Sequence, residues 1–337
     1  MKEDKDTRIP CYAAKIILNN LESLQKSVEG MNAHDDIEDI HDLRVATRRI
    51  RTALDIFSPY FPKKKVKPWQ DGMRTITRQF GKSRDLDVQI DFLVHFLDTI
   101  QDRHYLAGIR RIHLRLTQKR DALDSTLGKH TADILKDKTL VDLRSTMQKA
   151  VVEDEQGCFP PELYQLAFNT ILTSLDQFLY YEIFIQYPEK VHELHLMRIT
   201  AKKLRYTLEI FLPLYEGNMD AFLDVMRAVQ QLLGEIRDCD VWLSFIPAFL
   251  EKEKQRTARY YGNTAAMRRL RPGIEYLYED RHAERQSNYR QFTQQWLTWR
   301  SQDTWLNLRD LSFQATLREE NIQVSPSPDS SISNTNT

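Results

Sequence analysis

The sequence repeats one pattern of basic and apolar residues about 154 positions apart. The segment HDLRVATRRIRTALDIF (41–57) matches HLMRITAKKLRYTLEIF (195–211), with histidine, basic and acidic residues at corresponding places. A second pair, FGKSRDLDVQIDFL (80–93) and LGEIRDCDVWLSFI (233–246), lies at nearly the same offset. This period is too long for a solenoid unit and indicates a duplicated module of about four helices.

Each half is predicted to be helical because glycine and proline seldom interrupt it. The 337 residues include only 10 glycines and 12 prolines, and apolar residues recur at steps of three and four. No alternating run competes as a strand, so we predict an all-α fold. The predicted helices span about 10–28, 36–57, 67–100, 104–136, 161–183, 189–212, 219–250 and 256–299.

The repeat also predicts the organisation of the chain. We assign residues 8–155 to the first helical repeat and 158–312 to the second. Proline and glycine predict loops at 58–68 and 153–162. The Ser-, Pro- and Asn-rich end, 320–337, has almost nothing to bury and is predicted to be a disordered tail.

The first repeated segment of each half forms a helix with two different faces. The cationic faces lie within an arc of roughly 80° and carry His41, Arg44, Arg48, Arg51 and Asp55 in one half and His195, Arg198, Lys202, Arg205 and Glu209 in the other. The opposite faces carry Leu43, Ala46, Ile50, Leu54 and Phe57, and Met197, Leu204, Leu208 and Phe211. An ordinary exposed helix would alternate the signs of its charges instead.

A charge run on a helix is usually a solvated face, but its recurrence in both halves favours an anion site. Like charges one turn apart repel each other, so an unselected face would not repeat them. Arginine offers a planar fork of donors suited to phosphate oxygens. From His41 to Arg51 a helix rises about 15 Å, which suits a linear chain of phosphates better than one orthophosphate. The histidines can donate to the anion or be ordinary structural residues.

Composition excludes some classes of protein. The chain has 48 Lys and Arg against 48 Asp and Glu, so attraction to a polyanion must come from segregated charge. Three distant cysteines, Cys11, Cys158 and Cys239, lack metal-binding spacing and indicate a reducing, cytoplasmic setting. We find no signal segment and no apolar run of the roughly 18 residues that cross a bilayer, and we expect no cofactor, metal or membrane partner.

The two motifs, in the same order in both halves, resemble the CHAD family, the conserved histidine α-helical domain. The resemblance covers about residues 10–310. Members of the family are often fused to a triphosphate tunnel domain, and we find no such domain in this sequence. The resemblance implies two pseudo-symmetric four-helix bundles packed around a basic central cavity. It further implies that inorganic polyphosphate is the ligand and that the protein associates with polyphosphate granules. Enzymes that metabolise polyphosphate are then candidate protein partners.

By the family's motif, polyphosphate would contact His41, Arg44, Arg48, Arg49 and Arg51, and His195, Arg198, Lys202, Lys203 and Arg205. Lys202 and Lys203 stand where the first half has arginines. The second half should therefore bind phosphate less rigidly.

The RDLDV and RDCDV segments admit two interpretations. Arg84 and Arg237 extend the cationic surface, with Asp85, Asp87, Asp238 and Asp240 positioning arginines, or all of them form ion pairs that fix helix against helix. Three other basic clusters, at 63–67, 110–120 and 268–271, are expected to be solvated faces or a rim that guides an anion inward.

Non-catalytic binding of polyphosphate is the favoured function, with two alternatives. A phosphohydrolase or phosphotransferase acting on polyphosphate would normally need carboxylates that hold a metal ion, but each cationic face has one acid, and no P-loop is present. A nucleic-acid-binding helical protein would share the phosphate chemistry, but no RNA- or DNA-reading motif accompanies the arginines. Histidines surrounded by arginines would make a poor metal site.

Overall fold

The computed structural model describes residues 7–34, 37–151 and 159–323, and all regular structure in these ranges is helical. The all-α prediction is confirmed. The helices are α1 (Arg8–His34), α2 (Ile37–Phe57), α3 (Lys63–Gln79), α4 (Gly81–Thr99), α5 (Arg103–Ile134), α6 (Lys138–Ala150), α7 (Pro161–Leu179), α8 (Val191–Phe211), α9 (Asp220–Tyr261), α10 (Met267–Ser301) and α11 (Thr304–Gln323).

The helix order of the first half recurs in the second. Helices α7 and α8 correspond to α1 and α2, the long α9 takes the place of α3 and α4, and α10 and α11 correspond to α5 and α6. Packing recurs too, since α1 lies against α2 and α6 while α7 lies against α8 and α11. The hydroxyl of Thr77 donates to that of Thr47 at 3.0 Å, and at corresponding positions the Gln230 amide donates to the Ala201 carbonyl at 3.0 Å.

Several predicted helix ends were wrong, for local reasons. The single helix predicted at 67–100 ends at Gln79 and restarts at Gly81, where the Ser83 hydroxyl donates to the Phe80 carbonyl. Helix α9 continues to Tyr261 and stops at Gly262, whose φ of 71° is left-handed. The predicted loop at 58–68 is helical from Lys63.

Two helices, α6 and α11, were missed by the sequence periodicity. Helix α6 is short and starts at a capping residue, because the Asp137 carboxylate accepts hydrogen bonds from the amides of Thr139 and Leu140 at 2.7 and 3.2 Å. Helix α11 reaches Gln323, four residues into the predicted tail, and residues 324–337 lie outside the described ranges. Cys158 and most of the predicted loop at 153–162 also lie outside them.

The larger hydrophobic core joins the two halves of the chain. It runs through α1, α2 and α3 and continues through α7 and α8. Phe57 and Phe211, the last residues of α2 and α8, meet edge to face with centroids 6.0 Å apart. The Tyr12 hydroxyl donates to the Ile210 carbonyl at 2.5 Å. The ends of the two cationic helices are therefore fixed against each other.

The second core is a bundle of α4, α5, α9 and α10, and it too draws on both halves. Leu93, Ile112, Trp242 and Ile274 are buried in it. Helices α5 and α10 cross almost in backbone contact, since a Cβ on Gly108 would lie 2.1 Å from the Leu270 carbonyl oxygen. A Cβ on Gly273 would lie 1.9 Å from that of Tyr105. Any larger residue at either glycine would force the helices apart.

None of the helices in the described ranges combines the length and the apolar character that a membrane span requires.

Candidate anion-binding site

Helices α2 and α8 bury the predicted apolar faces. Leu43, Ile50 and Leu54 of α2 are fully buried, as are Leu204 and Leu208 of α8. This part of the sequence prediction is confirmed. Burial of one face leaves the opposite faces to carry the cations, named here the first stripe (His41, Arg44, Arg48 and Arg51) and the second stripe (His195, Arg198, Lys202 and Arg205).

The first stripe is a group of crowded, half-buried cations. Burial, followed by the charge of Arg48, lowers the pKa of Arg44, and Asp85 opposes both effects. Burial and then the charge of Arg74 lower the pKa of Arg51. Burial and then the charge of Arg84 lower the pKa of His41, which favours the neutral imidazole. Repulsion within the stripe is thus only partly offset by acids.

The second stripe shows the same crowding more strongly. Burial, followed by the charges of Arg198 and Arg48, lowers the pKa of Lys202 to about 7. Burial and then the charge of Arg237 lower the pKa of His195. A lysine amine with a pKa near neutrality loses much of its charge unless an anion lies beside it.

The two stripes meet through Arg48. The charge of this α2 residue acts on both Arg198 and Lys202 of α8 and lowers the pKa of each. Arg48 and Lys202 occupy corresponding positions of the two repeated segments. The stripes therefore form one group of cations, which we call the stripe cluster.

Much of the stripe cluster forms no direct ion pair with an acidic residue that the structure describes. Arg205 lies 3.5 Å from Glu209 through its Nε. Arg48, Arg51, Arg198 and Lys202, by contrast, make no ion pair with another residue that the structure describes. For Arg51, Arg198 and Lys202, acids such as Asp55 and Asp238 act only from a distance.

Three nitrogen atoms in the second stripe are buried without a hydrogen-bond partner among the described residues. They are Nδ1 of His195, Nε of Arg198 and Nε of Arg205, the last of which lies 3.5 Å from Glu209 without a hydrogen bond. An unpaired buried donor is costly, on the order of 1–3 kcal/mol, so it usually marks a missing partner. An anion with several oxygens would supply acceptors here.

Arg49 and Lys203, also predicted to contact phosphate, are engaged elsewhere. Arg49 donates a hydrogen bond from Nε to Glu209 of α8 at 2.9 Å, and its Nη2 lies 2.9 Å from the same carboxylate oxygen. Lys203 is exposed and donates to the Gln177 side chain at 2.9 Å. Arg49 thus ties α2 to α8. Neither residue is among the charges that shift the pKa values of the stripe residues.

The glycines of the second motif provide space for stripe arginines. A Cβ on Gly81 would lie 2.8 Å from Nη1 of Arg44. The corresponding Gly234 is looser, because its Cβ would lie 3.6 Å from Nε of Arg198. The GKSRDLDV and GEIRDCDV segments therefore place a glycine under the same arginine of each stripe.

The two aspartates of each RDxDV segment have different tasks. The second aspartate of each ties helices together: Asp87 of α4 binds Arg120 of α5, and Asp240 of α9 binds Arg285 of α10, each at 2.5 Å. All four side chains are largely buried. For Asp87 and Asp240, the structure agrees with the interpretation in which ion pairs fix helix against helix.

The first aspartate of each RDxDV segment, and the arginine that precedes it, act on stripe residues instead. Asp85 favours the charged form of Arg44, and Asp238 favours those of Arg198 and Lys202. Arg84 and Arg237 act on the two stripe histidines. Arg84 also lies 3.3 Å from Glu38. These residues extend the cationic surface and partly balance it.

Sequence reasoning missed Arg74 of α3. Its charge acts on Arg51, and its side chain forms an ion pair with Asp71 at 2.9 Å. The signal was present, since DGMR (71–74) recurs as DVMR (224–227), where Arg227 pairs with Asp224.

No three His, Cys, Asp or Glu side chains gather into a metal-binding group within the part of the chain that the structure describes. Cys11 and Cys239 are buried free thiols.

Comparison with known proteins gives one family match and two structurally similar proteins. Residues 15–247 match the model of the CHAD domain. The crystal structure of the CHAD domain from the plant Ricinus communis matches with a TM-score of 0.54 and 23% identity, over 84% of this chain and 94% of that chain. PptA from Streptomyces chartreusis matches with a TM-score of 0.57 and 12% identity, over 86% and 99%. These two likenesses show the fold alone. No curated protein sequence matches.

Proposed function

This chain belongs to the CHAD domain family, and from that premise we propose that it binds inorganic polyphosphate without catalysis, through both stripes at once. The observation that carries the proposal is the position of Arg48, whose charge acts on Arg198 and Lys202 across the two helices. One anionic chain lying there would neutralise cations of both halves. The shared central cavity remains part of this proposal.

The shape and chemistry of the stripe cluster suit a linear polyanion. Each stripe extends over about 15 Å of helix, and several cations of the stripe cluster form no direct ion pair with a described residue. A chain of phosphates presents charge and acceptor oxygens at many successive points. A chain of phosphates can therefore accept hydrogen bonds from the guanidinium groups of Arg48 and Arg198 and from further cations along the stripes. One orthophosphate would contact only a few of these cations.

The energetics of the free protein also favour a polyanion ligand. Crowded, half-buried cations repel one another, and the lowered pKa of Lys202 is one result. A bound anion reverses the repulsion and restores the charge of the amine. Part of the binding free energy then comes from relief of the electrostatic repulsion among the cations of the free protein.

The proposal of non-catalytic binding rests on how the nearby carboxylates are used. Asp87 and Asp240 are held in buried ion pairs with Arg120 and Arg285. Glu209 is shared between Arg49 and Arg205. Metal-assisted phosphoryl transfer needs carboxylates available to a metal ion, and these three are already engaged. Asp85 and Asp238 also lie near the stripes, but each acts on neighbouring cations of the stripes.

We further propose that the protein acts in the cytoplasm at polyphosphate granules, beside enzymes that metabolise polyphosphate. Two buried free thiols are compatible with a reducing compartment. A stripe cluster that holds polyphosphate would attach the chain to a granule, because a granule presents many polyphosphate segments.

A binding titration tests the proposal. The protein is titrated with long polyphosphate, tripolyphosphate and single-stranded RNA of matched charge, each at several salt concentrations. We expect the tightest binding for long polyphosphate and weaker binding for tripolyphosphate. Tight binding of RNA without binding of polyphosphate would overturn the proposal and favour the nucleic-acid alternative.

A further inference from the structure

A second basic site lies at the far end of the α4, α5, α9 and α10 bundle. It is a cleft of about 820 Å³ between α5, the end of α9 and the start of α10. Six arginines line it, and we call it the arginine cleft: Arg110, Arg111, Arg115, Arg256, Arg259 and Arg269. Glu253 is the one acidic residue in this lining.

The arginine cleft is separate from the stripe cluster. Arg237, beside the second stripe, and Glu253, in the cleft, lie on the same helix and are sixteen residues apart. That separation corresponds to about 24 Å along the helix. The cleft lining includes no residue of either stripe.

A buried glutamate organises the floor of the cleft. Glu253 is only 1% exposed and accepts hydrogen bonds from Arg111 at 3.0 Å, from Arg115 at 3.1 and 3.2 Å, and from Arg256 at 3.3 Å. These bonds occupy both carboxylate oxygens. The three arginines are therefore fixed in place, and together they carry more charge than the glutamate balances.

Three further arginines of the cleft are exposed and uncompensated. Arg110, Arg259 and Arg269 form no ion pair or hydrogen bond from their side chains with another described residue. They come from three different helices and line one concave surface. Free guanidinium groups that line one cleft are suited to phosphate oxygens.

The cleft also exposes aromatic and apolar side chains. Tyr260 and Tyr261, at the end of α9, are 82% and 62% exposed, and Leu114 is 46% exposed. Exposed aromatic rings beside arginines are suited to stacking with a nucleobase. The volume of the cleft also falls within the range for small-ligand sites.

From these features we propose that the arginine cleft binds a nucleotide. Its phosphates lie on Arg110, Arg259 and Arg269, and its base packs against Tyr260 or Tyr261. This site is independent of the stripe cluster and of the proposed binding of polyphosphate.

The test uses ATP and tripolyphosphate as probes, without divalent metal, in the full chain carrying Arg48→Glu and Lys202→Glu. These background changes are expected to disable the stripe cluster, so a failure of polyphosphate binding there is distinguished from a failure at the cleft. Equilibrium dialysis should show that ATP binds at least about tenfold more tightly than tripolyphosphate, equivalent to about 1.4 kcal/mol. Equal or tighter binding of tripolyphosphate, or no binding of ATP, would overturn the proposal.

Two sets of variants in the same background locate the site. Arg269→Glu should weaken ATP binding by about tenfold or more, whereas Arg268→Glu should change it by less than about twofold. Arg268 is the matched control because it is the adjacent exposed residue of α10 and lines a different cleft. Equal losses from both changes would show unspecific charge attraction and contradict the assignment.

The aromatic part of the proposal has its own test. Replacing Tyr260 and Tyr261 with alanine should reduce ATP affinity to that of tripolyphosphate and leave tripolyphosphate binding unchanged. An unchanged preference for ATP would contradict the placement of the base. Circular dichroism of each variant confirms that helicity is retained.

Discussion

The guanidinium group of Arg44 lies against Gly81 so closely that a Cβ at this glycine would come within 2.8 Å of Nη1. The corresponding pair, Arg198 and Gly234, leaves ordinary van der Waals space, with 3.6 Å to Nε. The two repeated motifs of the sequence thus meet in space in each half. The glycine of the second motif sets how deeply the arginine of the first can lie.

Gly81→Ala should therefore weaken polyphosphate binding several-fold, because the added methyl group displaces Nη1 of Arg44. The fold should remain intact, since the displaced atom is the end of a flexible side chain. Gly234→Ala is the matched control and should leave the affinity nearly unchanged. Calorimetric titration of the two variants measures the difference, and equal effects would contradict the role given to Gly81.

Polyphosphate affinity should fall as the pH rises from about 7 to about 9. In the free protein the pKa of Lys202 is lowered to about 7, so the amine is largely neutral above this pH. The bound polyanion raises the pKa, and binding in this range must take up a proton. The pKa values of His41 and His195 are lowered as well, so both imidazoles are already neutral in this window.

Titrations in buffers of different ionisation enthalpy measure the proton uptake directly. Lys202→Arg is the control, since a guanidinium group keeps its charge throughout this range. The variant should lose most of the proton uptake and of the pH dependence. The same proton uptake in wild type and variant would exclude Lys202 as the titrating group.

Binding should weaken steeply and almost linearly when the logarithm of the binding constant is plotted against the logarithm of salt concentration. The reason is the release of counterions from the phosphates that the stripes neutralise. Arg48→Gln should reduce the slope, because one fewer phosphate is neutralised. Affinity that is indifferent to salt between low and physiological ionic strength would contradict the electrostatic account.

The purified protein should release no orthophosphate from polyphosphate or tripolyphosphate in the presence of Mg²⁺ or Mn²⁺. The reason is that Asp87, Asp240 and Glu209 are engaged in ion pairs, while Asp85 and Asp238 lie beside stripe cations and belong to no group of three metal-ligating side chains among the described residues. The orthophosphate released by the variant carrying Arg44→Ala and Arg48→Ala serves as the background. Turnover in wild type that disappears in this variant would instead support a phosphohydrolase or phosphotransferase.

The helical class and the two-faced character of α2 and α8 could be predicted from the sequence. Both depend on a local period, and residues such as Leu43 and Leu204 are buried as that period requires. The repeat strengthened the prediction because the same pattern occurs twice. Helix ends depend on single capping residues such as Asp137 and Gly262, and there the periodicity gave the wrong limits.

Other features depend on contacts between distant parts of the chain. Arg49 stands next to Arg48 in the sequence, yet its partner Glu209 is 160 residues away. The arginine cleft likewise forms only when the end of α9 meets α5 and α10. Periodicity assigns a side chain to a face of its helix but cannot say what that face meets.

The most direct test of the account is calorimetric titration of wild type, Arg48→Glu and Lys202→Glu with a polyphosphate of defined length. If one chain contacts both stripes, each change should lower the affinity by more than about tenfold, or about 1.4 kcal/mol, without halving the number of sites. Arg49→Gln, in which the neighbouring arginine is replaced, should change it by less than about twofold. A variant that keeps wild-type affinity at half the stoichiometry would show two separate sites and contradict the account.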